Sequence, residues 1–133
     1  MFKKGSVMYD KNNVFAKILR GEIPCDRKIF ENEFAMSFYD ISPQSEIHAL
    51  VITKGEYENI LDFSGNASDA EQLGFWRAFS ETAKILGVSD NFNVWANSGA
   101  DAPFIKQSVM HFHLHLVAGK RKVNIAELAG IQA

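Results

Sequence analysis

Residues 109–117 read Val-Met-His-Phe-His-Leu-His-Leu-Val, so that His111, His113 and His115 alternate with Phe112 and Leu114. Strict alternation of two unlike residue classes has the period of a β-strand, whose successive side chains leave on opposite faces. One face then carries Met110, Phe112, Leu114 and Leu116, which suits a core. The other carries three imidazoles at roughly 6.5–7 Å intervals. Such a row is costly to bury without partners. Imidazole is also the side chain best matched to proton transfer near neutral pH. Three of the four histidines lie here, and the strand reads as the floor of an active site. Two other readings compete with it. Each histidine could be an ordinary structural residue, although three on one face are hard to explain that way. Alternatively, His-x-His on a strand can chelate zinc through neutral nitrogens. His48, several carboxylates and Cys25 are available as further ligands.

A chain of 133 residues fits one domain with a real hydrophobic core. We expect a single domain over 1–133, with a loose N-terminal tail over 1–12 and a C-terminal tail over 120–133. The net charge of −2 makes no electrostatic case for nucleic-acid binding. No apolar run approaches the roughly 18–20 residues needed to span a bilayer. The N-terminal Met-Phe-Lys-Lys-Gly-Ser has basic residues but no apolar block after them, so it does not read as a signal peptide. The single cysteine, Cys25, excludes an internal disulfide and suits a reducing compartment. The expected location is cytoplasmic, with no membrane partner.

Along the chain, Asn12 and Asn13 are good N-caps and Gly21 a good stop for a short helix carrying Val14, Phe15, Ile18 and Leu19. Strands are expected over 28–31, 34–40 and 47–53, as an antiparallel meander. Residues 54–66 read as irregular, with at most one helical turn around 57–61. Ser68 and Glu71 have the spacing of a capping box, opening a long helix that stops at Gly87. Its expected buried stripe is Leu73, Trp76, Phe79, Ala83 and Leu86. A fourth strand is expected over 91–97, a loop over 98–108 and the histidine strand over 109–117. Lys120, Arg121 and Lys122 read as a solvated charge run, and a helical turn is expected within 123–128. The architecture is α+β: about five antiparallel strands with one long and one short helix.

A neutral imidazole is a competent nucleophile toward phosphorus, and the phospho-imidazole it forms is labile to water. The attacking nitrogen must be unprotonated, so the other nitrogen should donate to a fixed acceptor such as a backbone carbonyl. His113, flanked on both sides, is the best nucleophile candidate. His111 and His115 would orient it, hold phosphate oxygens or relay protons. Gln107 and Ser108, just before the strand, could reach a leaving group. Asn97 and Gly99 lie in the preceding loop, where glycine permits close approach of backbone to ligand. Asp40 could accept hydrogen bonds from a ribose diol, although Asp40 and Asn97 equally suit ordinary turn chemistry.

These residues resemble the histidine triad family. The resemblance runs from about Asn13 to Gly119. It rests on His111-Phe112-His113-Leu114-His115-Leu116-Val117, on Phe15 to Pro24, on Asp40-Ile41-Ser42-Pro43-Gln44 with His48, and on Gln107-Ser108-Val109. The chain resembles the nucleoside phosphoramidate hydrolase branch, small purine-nucleotide-binding proteins that form homodimers. That resemblance implies a HIT-like fold and a covalent nucleotidyl-His113 intermediate. It implies supporting roles for His48, His111, His115 and Ser108. Gln107 and Asn97 match phosphate-site positions, Asp40 and Ile41 match ribose contacts, and Val14, Phe15, Ile18, Ile23 and Phe38 match the apolar pocket around the base. It implies no cofactor and no catalytic metal. The implied ligand is AMP or an AMP-amine conjugate. The same chemistry on dinucleoside polyphosphates, and a non-catalytic nucleotide-binding module, are the alternatives. Asn13 and Ala16 stand where many bacterial relatives carry zinc-binding cysteines, Phe104-Ile105-Lys106 replace a glycine-rich stretch, and the residues after Gly119 do not match the family's C-terminus.

Overall fold

The computed structural model describes residues 9–122. In chain order its elements are α1 (Val14–Leu19), β1 (Lys28–Glu31), β2 (Ala35–Tyr39), β3 (Ser45–Thr53), α2 (Ile60–Asn66), α3 (Asp69–Leu86), β4 (Phe92–Trp95) and β5 (His113–Arg121). The strands form one sheet in the order β1-β2-β3-β5-β4, every neighbouring pair antiparallel. This is the expected α+β architecture of the HIT-like fold. The turn expected within 123–128 lies outside the described residues.

Local chemistry sets the helix ends. The Asn13 side chain accepts from the Ala16 N–H at 2.9 Å to open α1. Ser68 and Glu71 form a reciprocal capping box on α3, and Gly87 ends that helix at φ 73°, where a side chain would be strained. α2 was not expected, because 54–66 lacks a helical apolar stripe. Its signal is Asn59, whose side chain accepts from the Asp62 N–H at 2.9 Å, and Phe63, buried in the core.

α3 lies over β1, β2 and β3, but with a different stripe inward. Its buried residues are Glu71, Phe75, Ala78 and Thr82, whereas Leu73 and Trp76 are 57% and 47% exposed. Apolar character misassigns the face because two polar residues are satisfied inside. The Tyr57 hydroxyl lies 2.9–3.0 Å from both Glu71 carboxylate oxygens. The Thr82 hydroxyl donates to the Ala78 carbonyl at 2.7 Å and pairs with the Ser37 hydroxyl at 2.6 Å.

The sheet has two packed faces. Beneath α3, Ala35, Val51, Phe112 and Leu114 join Tyr57, Phe63, Phe75 and Ala78 in one cluster. On the other face Met36, Phe38, Leu50 and Ile52 pack with Phe15 of α1 in a second. The histidine strand is shifted from its expected span. Pairing begins at His113, opposite Ile52, and continues to Arg121. β3 ends at Thr53, so 109–112 have no strand to pair with, and the Phe112 N–H donates instead to the Tyr57 carbonyl at 2.7 Å. Lys120 and Arg121 therefore end a strand, with exposed side chains, rather than beginning a tail. The expected N-terminal tail also holds a packed residue: Tyr9 is buried. No helix among the described residues is long and apolar enough to cross a membrane.

Candidate active site

Residues facing each other across antiparallel strands share a sheet face. His113 faces Ile52, and His115 faces both Leu50 and Trp95, on the side that α1 roofs. His48 leaves β3 on that same side. His113 is buried, with its Nδ1 2.7 Å from the backbone carbonyl of His111 and its ring edge-on to Phe15 at 5.0 Å. A carbonyl only accepts, so Nδ1 holds the proton and Nε2 keeps its lone pair. Burial pulls the His113 pKa below the ordinary histidine value, against the opposing pull of that hydrogen bond. This is the arrangement that a nucleophilic imidazole requires.

His111 plays a different part. It is fully buried; Nε2 lies 2.6 Å from the Thr53 carbonyl and Nδ1 lies 2.6 Å from the Tyr9 hydroxyl. Nε2 therefore donates and Nδ1 accepts. Burial holds this ring neutral, with a pKa lowered to about 4. Both nitrogens are occupied, so of the three roles expected for His111 only that of orienting His113 is compatible with its contacts. It exerts that role through its backbone oxygen rather than through its ring.

The second histidine pair is fixed from the backbone outward. The Gln44 N–H donates to His48 Nδ1 at 3.1 Å, which places the His48 proton on Nε2. His48 Nε2 faces His115 Nδ1 at 3.0 Å and Asp40 Oδ2 at 3.5 Å. His115 Nδ1 thus accepts, and its Nε2 carries a proton. The His115 ring lies parallel to the Trp95 indole at 4.8 Å and 4°, and 5.1 Å from the His113 ring. Burial first, then His113 and His48, lower the His115 pKa to about 3. A lone pair on His113 Nε2 and a proton on His115 Nε2 consequently sit on adjacent rings.

Asp40, His48 and His115 also bring three ligand-type atoms within 4.8 Å of one another. A metal there would need the lone pair of His48 Nε2, and hence a proton on Nδ1 pointing at the Gln44 N–H. The backbone therefore works against coordination, and the donor set does not fit a metal.

The other candidates divide. Phe15 and Phe38 are buried and meet edge to face at 5.6 Å beside the histidines. Ile18 and Ile23 line a cleft of about 470 Å³ with Leu19, Cys25 and Met36. Val14, Ile41 and Ser108 are exposed, and Asn97 is half-buried. Asp40 Oδ1 accepts from the Ser42 N–H at 2.7 Å. Gln107 is placed otherwise than the phosphate-site match implies. Its Oε1 accepts from the Gly99 N–H at 2.9 Å, and its Nε2 donates to the carbonyls of Glu58 and Val109 at 2.6 and 2.9 Å. Its amide staples the 99–107 loop shut and is used up in doing so. Sequence reasoning missed Tyr9, Gln44, Thr53 and Trp95 as supports of the site. Trp95 was detectable, since alternation in 92–95 puts Asn93 and Trp95 on the side opposite Phe92 and Val94.

All four histidines have pKa values lowered by burial. An unfolded histidine takes up a proton near pH 6.5, while these stay neutral when folded. Unfolding below pH 6.5 therefore absorbs protons, and stability falls as pH falls. His111 and His115 alone should give a slope of about 2–3 kcal/mol per pH unit near pH 5.5. Urea unfolding at pH 7.5, 6.5 and 5.5 measures this; constant stability would mean that the rings are already charged in the folded protein.

Comparison with known proteins agrees with the geometry. The HIT domain model matches residues 20–122. An uncharacterized 13.2 kDa HIT-like protein of Azospirillum brasilense is 48% identical over 114 residues, covering 85% of this chain and 90% of that protein. The structure of a histidine triad nucleotide-binding protein from Candida albicans is similar at TM-score 0.68 and 30% identity, over 84% of this chain and 77% of that one. A HIT family hydrolase from Clostridium thermocellum is similar at TM-score 0.69 and 26% identity, over 86% and 96%. With the triad, the sheet and the matched span in agreement, this chain belongs to the HIT domain family.

Proposed function

We propose that the protein hydrolyses purine nucleoside phosphoramidates at the P–N bond, through a nucleotidyl group carried on His113. The observation that carries this reading is the pairing of an acceptor His113 Nε2 with a donor His115 Nε2 on rings 5.1 Å apart. In the first step the His113 Nε2 lone pair forms a bond to phosphorus as the P–N bond of the substrate breaks. The departing nitrogen, protonated from solvent before cleavage, leaves as a neutral amine, while His115 Nε2–H donates a hydrogen bond to a phosphoryl oxygen. The ring so formed holds positive charge, which the His111 carbonyl stabilises through Nδ1–H. In the second step water adds to phosphorus, the bond to His113 breaks, and the proton lost by water returns to solvent, leaving His113 neutral with its lone pair on Nε2. Phe15, Phe38, Val14, Ile18 and Ile23 supply apolar contacts for the base, with Asp40 and Ile41 toward the ribose. The names of the Candida and Clostridium proteins, one nucleotide-binding and one a hydrolase, support the reading. Quench in alkaline denaturant during turnover of an adenosine phosphoramidate, followed by peptide mass spectrometry kept at basic pH, should find AMP on the peptide containing His113. Turnover with the label on no histidine would overturn the mechanism. Slower cleavage of the phosphoramidate than of a dinucleoside polyphosphate would reassign the substrate.

The unit that does this is proposed to be a homodimer. Leu73 and Trp76 of α3, and Phe92 and Val94 of β4, are all exposed. β4 is an edge strand, and Val94 pairs with the buried Leu116, which puts Phe92 and Val94 on the α3 side of the sheet, beyond the strands that α3 covers. Apolar side chains beside an unpaired strand edge favour a second copy of the same surface. Sedimentation velocity should give a dimer, and Trp76→Glu with Val94→Lys should convert it to a monomer. A wild-type monomer at micromolar concentration would refute the assembly.

A further inference from the structure

We propose that Tyr9 is a positioning residue for the nucleophile: its hydroxyl completes the two-ended tie on the His111 ring, and so holds in place the carbonyl that keeps His113 in its reactive form. Tyr9 precedes the span matched by the HIT domain model, residues 20–122. It is nonetheless buried, with its hydroxyl 2.6 Å from His111 Nδ1 and its ring edge-on to that imidazole at 5.7 Å. A buried imidazole has two polar atoms to satisfy, and its two neutral tautomers differ in which one donates. Thr53 fixes Nε2 as the donor, since its carbonyl at 2.6 Å only accepts and its hydroxyl, 3.3 Å away, gives its own proton to the Gly55 carbonyl at 3.0 Å. The Tyr9 hydroxyl supplies the matching donor for Nδ1, which without it would be a buried acceptor with no partner. The ring is then tied at both ends to different parts of the chain, one on β3 and one ahead of α1. The His111 backbone, one residue from the Phe112 N–H bond to Tyr57, is held with it. His113 Nδ1 donates to that backbone at 2.7 Å.

The latch is also anchored on the substrate side. Tyr9 leads directly into the Asp10–Asn13 turn, where the Asn13 N–H donates to the Asp10 carbonyl at 3.1 Å, and so into α1. Phe15 of α1 touches His113 at 5.0 Å and Phe38 at 5.6 Å. One segment thus sets both an apolar wall of the pocket and one end of the tie on the histidine behind the nucleophile. The titratable groups that act on this pair are Glu56, Arg20 and Asp10 on the Tyr9 side, with the His113 ring on the other.

This inference rests on His113 as the reacting group, so its test includes a measurement that needs no turnover. Long-range proton–nitrogen NMR of the histidine rings in the wild-type protein should show His111 protonated at Nε2 and unprotonated at Nδ1. A proton on Nδ1 would overturn the latch whatever the reaction proves to be. Tyr9→Phe keeps the ring and removes only the donor, while Tyr9→Leu removes both. A packing role predicts that Phe resembles wild type and Leu is impaired. A positioning role predicts that both lose kcat alike, by roughly 10–100-fold, the usual cost of removing an orienting partner, with KM for the phosphoramidate within about twofold. The acid limb of kcat/KM should move to higher pH in Tyr9→Phe, because Nδ1, relieved of its donor, takes a proton more readily. Unchanged kcat and an unmoved acid limb in Tyr9→Phe would sink the proposal. Absent phosphoramidate turnover in the wild-type protein would instead count against the function reading, leaving the NMR result to decide the latch.

Discussion

His113→Ala should lower turnover of an adenosine phosphoramidate by roughly 10⁴–10⁶-fold, the scale on which a covalent mechanism loses rate with its nucleophile. AMP affinity should change only a few-fold. The two effects separate because the ring contributes a lone pair to the reaction but little surface to the pocket. It is buried, its Nδ1 is committed to the His111 carbonyl, and the apolar contacts of Phe15 with Phe38 survive its removal. Calorimetry with AMP alongside steady-state kinetics makes the comparison. Substantial residual turnover would show that His113 is not the attacking group. Loss of AMP binding together with turnover would show that the ring binds ligand rather than reacting with it. Asn in its place would serve as a volume-matched control, filling the site without an imidazole nitrogen.

Phe112→Ala should cost about 3–5 kcal/mol, the range for truncating a buried aromatic residue. Phe112 is 1% exposed. Its ring stacks on Phe63 at 5.2 Å and 20° and tilts against Phe75 at 5.1 Å and 36°. These rings belong to α2 and α3, so one side chain joins both helices to the sheet. The surrounding ring cluster is rigid and closes poorly over a void, which puts the cost toward the upper end. Against a domain stability of about 5–15 kcal/mol, such a loss leaves a variant close to unfolding at 37 °C. Phe112 also separates His111 from His113, so activity should fall even where the variant remains folded. Urea unfolding monitored by circular dichroism gives the loss. A value below about 1 kcal/mol would mean that the cluster repacks and that Phe112 is no keystone. Met110→Ala, on the same alternation but only half-buried, should cost distinctly less.

The local features were legible because their causes are local. The capping box at Ser68 and Glu71, the Asn13 cap, the stops at Gly21 and Gly87, and the alternation of imidazole with apolar residues all depend on contacts a few positions apart. Those same signals predicted that His113 would need a carbonyl behind its second nitrogen, and the His111 oxygen lies 2.7 Å away. The α3 stripe was misread because burial depends on partners as well as on apolar character: Glu71 and Thr82 go inside where Tyr57 and Ser37 receive them. The contacts of Gln107 were not legible because a side-chain amide fits a phosphate or a peptide group equally well, and only the folded loop shows Gly99, Glu58 and Val109 around it.

Sequence alone determined the sheet class and most element boundaries, and it singled out the clustered imidazoles, His113 among them, as the candidate reacting groups. Tertiary structure decided where each ring keeps its proton. A histidine carries no intrinsic preference strong enough to fix its tautomer inside a protein; the groups facing its two nitrogens impose it. Here those groups are the backbone of His111 for His113, the Gln44 amide for His48, and for His111 the Thr53 carbonyl and the Tyr9 hydroxyl, 58 and 102 positions away along the chain. Contacts of that separation exist only once the chain has closed on itself, so the chemical identity of the site was written locally and its proton arrangement globally.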